Sequence, residues 1–160
     1  MVSTKNRAEL NYPQWFAKAS NWCSRQERCM SDFKTKCYQW SVPEEFRDRL
    51  RQELIEAQLI DDERFARSFI SGHLRIKGWG ASKIRAALSQ KGISGELVTP
   101  LLSEMEGEEW DGALKKALEK ALRNGHKLSD KNHTIKLVKH LMSKGFAYEE
   151  VRKVIKPIDD

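Results

Sequence analysis

Nowhere does this sequence run uncharged and apolar for the ~18 residues that a membrane span requires, and Met1 to Asn11 lacks the apolar core of a signal peptide. A cytoplasmic location follows as an expectation. Strand signals are nearly absent too: β-branched residues are sparse, and no segment alternates apolar and polar positions over a useful length. Cysteine is scarce. Cys23, Cys29 and Cys37 are odd in number and irregular in spacing, which argues against a disulfide framework. They form no Cys-x-x-Cys pair, and His73, His126, His133 and His140 lie far along the chain, so no metal site is expected. There is no phosphate-cradling glycine loop, no His-Glu-x-x-His and no nucleophile motif. No enzyme activity and no cofactor are therefore expected. The acidic run Asp61-Asp62-Glu63 could hold a metal in a nuclease, but it reads more simply as the start of a helix.

What is present is a chain of 160 residues, 39% hydrophobic and 32% charged, a balance that fits a folded protein and not a disordered one. Its net charge of +6 is unevenly spread. From Arg64 to Lys91 there is no acid, while acids gather at Asp61 to Glu63, at Glu104 to Asp111 and at Asp159-Asp160. An anionic partner is implied. A solvated helix face would explain the same run.

Helical spacing is everywhere. Phe65, Ala66, Phe69, Ile70 and Leu74 share one face, as do Ile84, Ala87 and Leu88, then Leu97, Val98, Leu101 and Leu102. Ser24-Arg25-Gln26-Glu27 fits a capping box, Asp61 fits a cap, Pro43 suits a first turn, and helix stops fall at Gly80, Gly92, Gly125 and Gly145. These boundaries predict helices over Pro13–Trp22, Gln26–Gln39, Pro43–Ala57, Asp62–Lys77, Ala81–Lys91, Gly95–Met105, Glu108–Asn124, Lys131–Lys144 and Ala147–Lys156.

The pattern also repeats. Phe33, Cys37, Val42 and Phe46 match Ile84, Leu88, Ile93 and Leu97 at a constant offset of 51. Leu88, Lys91-Gly92-Ile93 and Val98 match Leu141, Lys144-Gly145-Phe146 and Val151 at an offset of 53. The shared frame is helix, Lys-Gly-apolar turn, helix, in which the apolar residue folds back onto the helix that the glycine closes. An all-α fold of three trihelical repeats follows: a disordered tail at 1–12, then repeats at 13–60, 61–107 and 108–160, in an elongated, curved array.

Leu59 to Phe69 reads Leu-Ile-Asp-Asp-Glu-Arg-Phe-Ala-Arg-Ser-Phe, and Gly78 to Ser94 reads Gly-Trp-Gly-Ala-Ser-Lys-Ile-Arg-Ala-Ala-Leu-Ser-Gln-Lys-Gly-Ile-Ser. Together these two blocks closely resemble the RecX family of recombinase regulators. The resemblance implies tandem three-helix repeats from Trp15 to the C-terminus. It also implies binding to the RecA recombinase and to its filament on single-stranded DNA, restraining ATP hydrolysis, strand exchange and co-protease activity, in DNA repair and the SOS response. Two positions depart from the family pattern: Trp40-Ser41 replaces a Lys-Gly turn, and Gln58 stands where a glycine is usual. A non-glycine residue in a left-handed helix end costs on the order of 1 kcal/mol.

The candidate surface for RecA or DNA comprises Arg64, Arg67, Arg75, Lys77, Lys83, Arg85 and Lys91. On an ideal helix Arg64, Arg67 and Arg75 fall within about 80° of one another, largely opposite Phe65, Phe69 and Ile70. Guanidinium groups suit bidentate contact with phosphate or carboxylate. DNA affinity is expected to be weak, non-specific and salt-sensitive. Trp79, between two glycines, either stacks on a base or plugs the gap between helices. A rival reading inserts Ala81–Lys91 into a DNA groove, with Lys83, Arg85 and Gln90 reading bases. A monomer is the default expectation, with repeat ends open to pairing.

Overall fold

The structure, a computed structural model, describes residues 9–105 and 107–155. It is all-α, with nine helices and no strand among the described residues: α1 (Tyr12–Cys23), α2 (Met30–Trp40), α3 (Glu44–Glu56), α4 (Asp62–Arg75), α5 (Ala81–Gln90), α6 (Gly95–Ser103), α7 (Gly107–Arg123), α8 (Lys131–Ser143) and α9 (Tyr148–Val154). The chain divides into two compact units, the first up to Phe65 and the second from Ala66 onward. No helix among the described residues is long and apolar enough to cross a membrane.

In the first unit α1 packs on α3, and the core consists of Trp15, Ala19, Cys23, Phe33, Cys37, Val42, Leu50, Leu54 and Ile60. The expected tail at 1–12 falls mostly on residues 1–8, which lie outside the described ones. Leu10 packs against the core, and Asn11 caps α1. The Asn11 side chain accepts from Gln14 N at 3.0 Å while Gln14 Oε1 accepts from Asn11 N at 2.9 Å. With Pro13 in its first turn, this helix start carries the capping box that the sequence reading puts at Ser24.

At Ser24 the expectation fails, because α2 starts only at Met30. Glu27 is engaged elsewhere: both its carboxylate oxygens accept from Arg64 Nε at 2.8 Å. The cap of α2 comes instead from 32 residues away, where Asp62 Oδ1 accepts from Met30 N at 2.8 Å. Asp61 Oδ1 accepts from Arg64 N at 2.9 Å, the expected cap of α4. Thus Asp61 and Asp62 each hold a helix end. Ser41 and Gln58 both take the left-handed conformation, with φ of 54° and 56°. Val42 N then reaches back to Cys37 O and Leu59 N to Leu54 O, each at 2.9 Å, so the first unit keeps the repeat's turn without its glycine.

In the second unit α5 packs on α6, while α7, α8 and α9 pack on one another. The repeat-equivalent residues Ile84, Leu88, Ile93 and Val98, and Leu137, Leu141, Phe146 and Val151, are all buried. Gly92 and Gly145 close their helices at φ of 72° and 98°. Gly80 does not close α4. That role falls to Gly78 at φ 63°, and Gly80 is instead the extended N-cap of α5. The physical need at Gly80 is close approach: its N–H donates to Lys144 O at 2.8 Å, and Ser82 N donates to Gly145 O at 3.2 Å. A Cβ on Gly80 would drive into the backbone of Gly145 and Phe146. The α4–α5 loop is thereby fastened to the α8–α9 turn.

Candidate interaction surface

Arg64, Arg67 and Arg75 lie on α4, and each meets a carboxylate that is distant in sequence. Arg64 bonds Glu27 and also donates to Gln58 O at 2.8 Å, tying the α1–α2 loop and the left-handed end of α3 to the start of α4. Arg67 pairs with Glu104, whose carboxyl is held below its usual range by that guanidinium. Arg75 pairs with Glu109, its Nε at 3.1 Å. Arg67 and Arg75 remain 49% and 62% exposed at the side chain. Pairs this exposed are worth about 0–1 kcal/mol, so an incoming phosphate or carboxylate can replace Glu104 or Glu109 at little cost.

Lys77, Lys83 and Trp79 form a second group. Trp79 is half-buried; Lys83 Nζ lies 4.5 Å and Lys77 Nζ 5.7 Å from its ring centroid. The His73 ring sits against it at 4.5 Å, and His73 is in turn stacked on Phe69 at 3.7 Å. The indole therefore packs and is partly open at once. Arg85 is exposed on α5 and donates to Thr99 Oγ1 at 2.7 Å, while Lys91 caps the end of α5.

Sequence reasoning misses the partners of the three α4 arginines, which lie 34 to 37 residues away on other elements. For Glu104 and Glu109 the available signal is the acidic run at Glu104 to Asp111. It also misses a histidine pair: His126 and His140 lie with ring centroids 4.4 Å apart. Burial pushes His140 below its ordinary value, helped by His126, Lys144 and Lys83. His73 is lowered too, first by burial and then by Lys77, against an opposing contact with the Phe69 carbonyl. The folded state thus favours neutral imidazoles, and the unfolded chain takes up more protons as pH falls past the ordinary histidine value of 6.5. Stability is present above that value and lost below it. The urea midpoint is expected to drop between about pH 7.5 and about pH 5.5, and His140→Gln to reduce the drop. A flat midpoint in the parent chain would contradict this.

Burial raises the Cys23 thiol to about 11, against the influence of Arg28, and raises that of Cys37 as well. Both stay protonated at neutral pH, whereas metal binding and nucleophilic attack need the thiolate.

Residues 61–100 match RecX, second three-helix domain, and residues 108–155 match RecX, third three-helix domain. The chain belongs to the RecX family. It is 29% identical over 141 residues to the regulatory protein RecX of Lactobacillus johnsonii, covering 88% of this chain and 52% of that one. It is 36% identical over 102 residues to the regulatory protein RecX of Pectobacterium atrosepticum, covering 63% and 60%. Among solved structures it is similar to RecX from Lactobacillus salivarius, with a TM-score of 0.75, 25% identity and coverage of 91% and 94%. The chain spans about half the length of the Lactobacillus relative. Regulation is the role that the relatives' names carry, and RecX domains supply the three-helix frame on which the α4–α5 cations sit.

Proposed function

We propose that this chain regulates the RecA recombinase by binding its filament on single-stranded DNA, and that it restrains ATP hydrolysis, strand exchange and co-protease activity in DNA repair and the SOS response. The observation that carries the reading is the presence of two successive RecX domains, the first of which holds the acid-free run from Arg64 to Lys91. Arg67 and Arg75, with Lys77, Lys83, Arg85 and Lys91, meet phosphates of the filament DNA or carboxylates of RecA by exchanging Glu104 and Glu109 for the partner's anions. Arg64 contributes by fixing the start of α4. Trp79 adds an indole edge between two lysines. The chain acts as a monomer in the cytoplasm, its repeats at 13–60, 61–107 and 108–160 serving as contact modules, and it needs no cofactor.

The test is single-strand-dependent ATP hydrolysis by RecA from the same source, on DNA already coated by filament, with and without this protein. Loss of hydrolysis at substoichiometric protein supports capping, and loss near one-to-one supports groove occupancy. No change, together with tight binding to bare DNA, sinks the proposal in favour of an autonomous DNA-binding protein. Charge reversal at Arg67 and Arg75 together is expected to leave helical content intact and abolish the inhibition. Undiminished inhibition would remove this stripe from the interface.

A further inference from the structure

A second group of cations lies in the first unit and differs from the arginines of α4 in a telling respect. Lys18 on α1, Arg28 in the α1–α2 loop and Lys36 on α2 make no ion pair with any carboxylate among the described residues. They lie instead against indoles. Lys18 Nζ is 5.0 Å from the Trp15 ring centroid and 4.7 Å from that of Trp40. Arg28 Cζ is 4.2 Å from Trp22, and Lys36 Nζ is 5.2 Å from Trp40 and 6.0 Å from Trp22. Trp22 and Trp40 meet edge to face at 5.8 Å and 74°, and both are half-buried, so part of each ring faces solvent. Arg28 Nε is buried without a hydrogen-bond partner.

The spacing explains how this arises. Trp15, Lys18 and Trp22 recur at three and four residues along α1, and Lys36 and Trp40 at four along α2, so each helix sets its cation beside its indole. Three uncompensated positive charges interleaved with two partly open indoles match what a single strand offers: phosphates for the cations and unpaired base faces for the rings. An acidic peptide would use the charges and leave the indoles idle. A duplex keeps its base faces inside its own stack and cannot use the rings.

We propose that Trp22 and Trp40, with Lys18, Arg28 and Lys36, form a binding site for single-stranded nucleic acid, in which bases stack on the indoles and phosphates take the ammonium and guanidinium groups. The cations leave the ring faces when a base arrives and turn to its phosphates. The proposal does not depend on RecA.

The experiment uses the full chain and a fluorescein-labelled 12-residue oligo-dT at about 0.1 M salt. The parent is expected to bind it, with quenching of tryptophan emission, and to bind a duplex of equal length and inorganic polyphosphate of matched charge at least tenfold more weakly. Lys18→Glu/Arg28→Glu/Lys36→Glu is expected to weaken oligo-dT binding at least tenfold. Removing three phosphate contacts should also flatten the slope of log affinity against log salt by about 2. If that variant does not keep its helical circular dichroism, Lys18→Gln/Lys36→Gln is read in its place, with a smaller loss in the same direction. Lys115→Glu/Lys116→Glu, exposed on α7, is expected to retain the oligo-dT quenching, which separates a local loss from a general change of charge. Trp22→Phe should diminish the quenching. Unchanged oligo-dT affinity in the charge variants, or polyphosphate binding as tight as oligo-dT, overturns the proposal.

Discussion

Gly80→Ala is expected to lower the stability of the second unit by about 3 kcal/mol, measured as a loss of urea midpoint followed by helical circular dichroism. The added Cβ would fall on Gly145 C and O and on Phe146 N, all of them backbone atoms that cannot rotate aside as a side chain would. Relief requires α5 and the α8–α9 turn to separate, which breaks the bonds from Gly80 N to Lys144 O and from Ser82 N to Gly145 O. Gly145 is constrained from the other side, since a Cβ there would meet Lys83 N and Cβ, and its φ of +98° already excludes most side chains. The internal control is Gly112 in the body of α7, with nothing within 4 Å of its built Cβ. Gly112→Ala should stabilise by about 1 kcal/mol through helix propensity alone. Equal effects at the two glycines would show that close approach is not what Gly80 provides.

Leu88→Ala is expected to cost about 3 kcal/mol, within the range for a fully buried leucine whose surroundings relax only in part. Leu88 is 0% exposed, and its carbonyl accepts from Lys91 N and Ile93 N at the helix end, so the site is fixed by backbone as well as by packing. Its counterpart in the first unit, 51 residues earlier, is Cys37, also buried at 3%. Cys37→Ala removes little more than one methylene-sized group and should cost only about 1 kcal/mol. A urea series on both variants checks the ratio. Near-equal losses would mean that the two repeat positions are not packed alike.

The helices and their order could be read from the sequence because they rest on local information: a 3.6-residue apolar period, glycines after it, and a polar residue before it. Positions such as Leu88, Ile93, Leu141 and Phe146 are buried as the internal repeat requires. What the sequence concealed is everything settled by distant partners. Ser24 to Glu27 has the composition of a capping box, yet Glu27 is held by Arg64, and the N-terminus of α2 is served by Asp62. Gly78 and Gly80 look interchangeable as helix stops until the backbone of Gly145 is brought against one of them. The arginines of α4 were recognisable as a stripe, but their neutralisation by Glu104 and Glu109 depends on where α6 and α7 lie. Trp22 and Trp40 of the first unit come together only once α1 and α2 are brought side by side. The cations beside them are notable for the carboxylates they do not meet, and a sequence does not record that.

The bond pair between the α4–α5 loop and the α8–α9 turn has a consequence for engineering. Repeat proteins are usually treated as beads on a string, to be lengthened, trimmed or recombined at any joint. Here a cut between α6 and α7 would strand two backbone donors and uncover a glycine contact shaped for one particular turn. The stretches that match the second and third RecX domains therefore have to be moved together. A chimera that borrows one must borrow the other, or rebuild at its edge the pair of carbonyls that Lys144 and Gly145 provide.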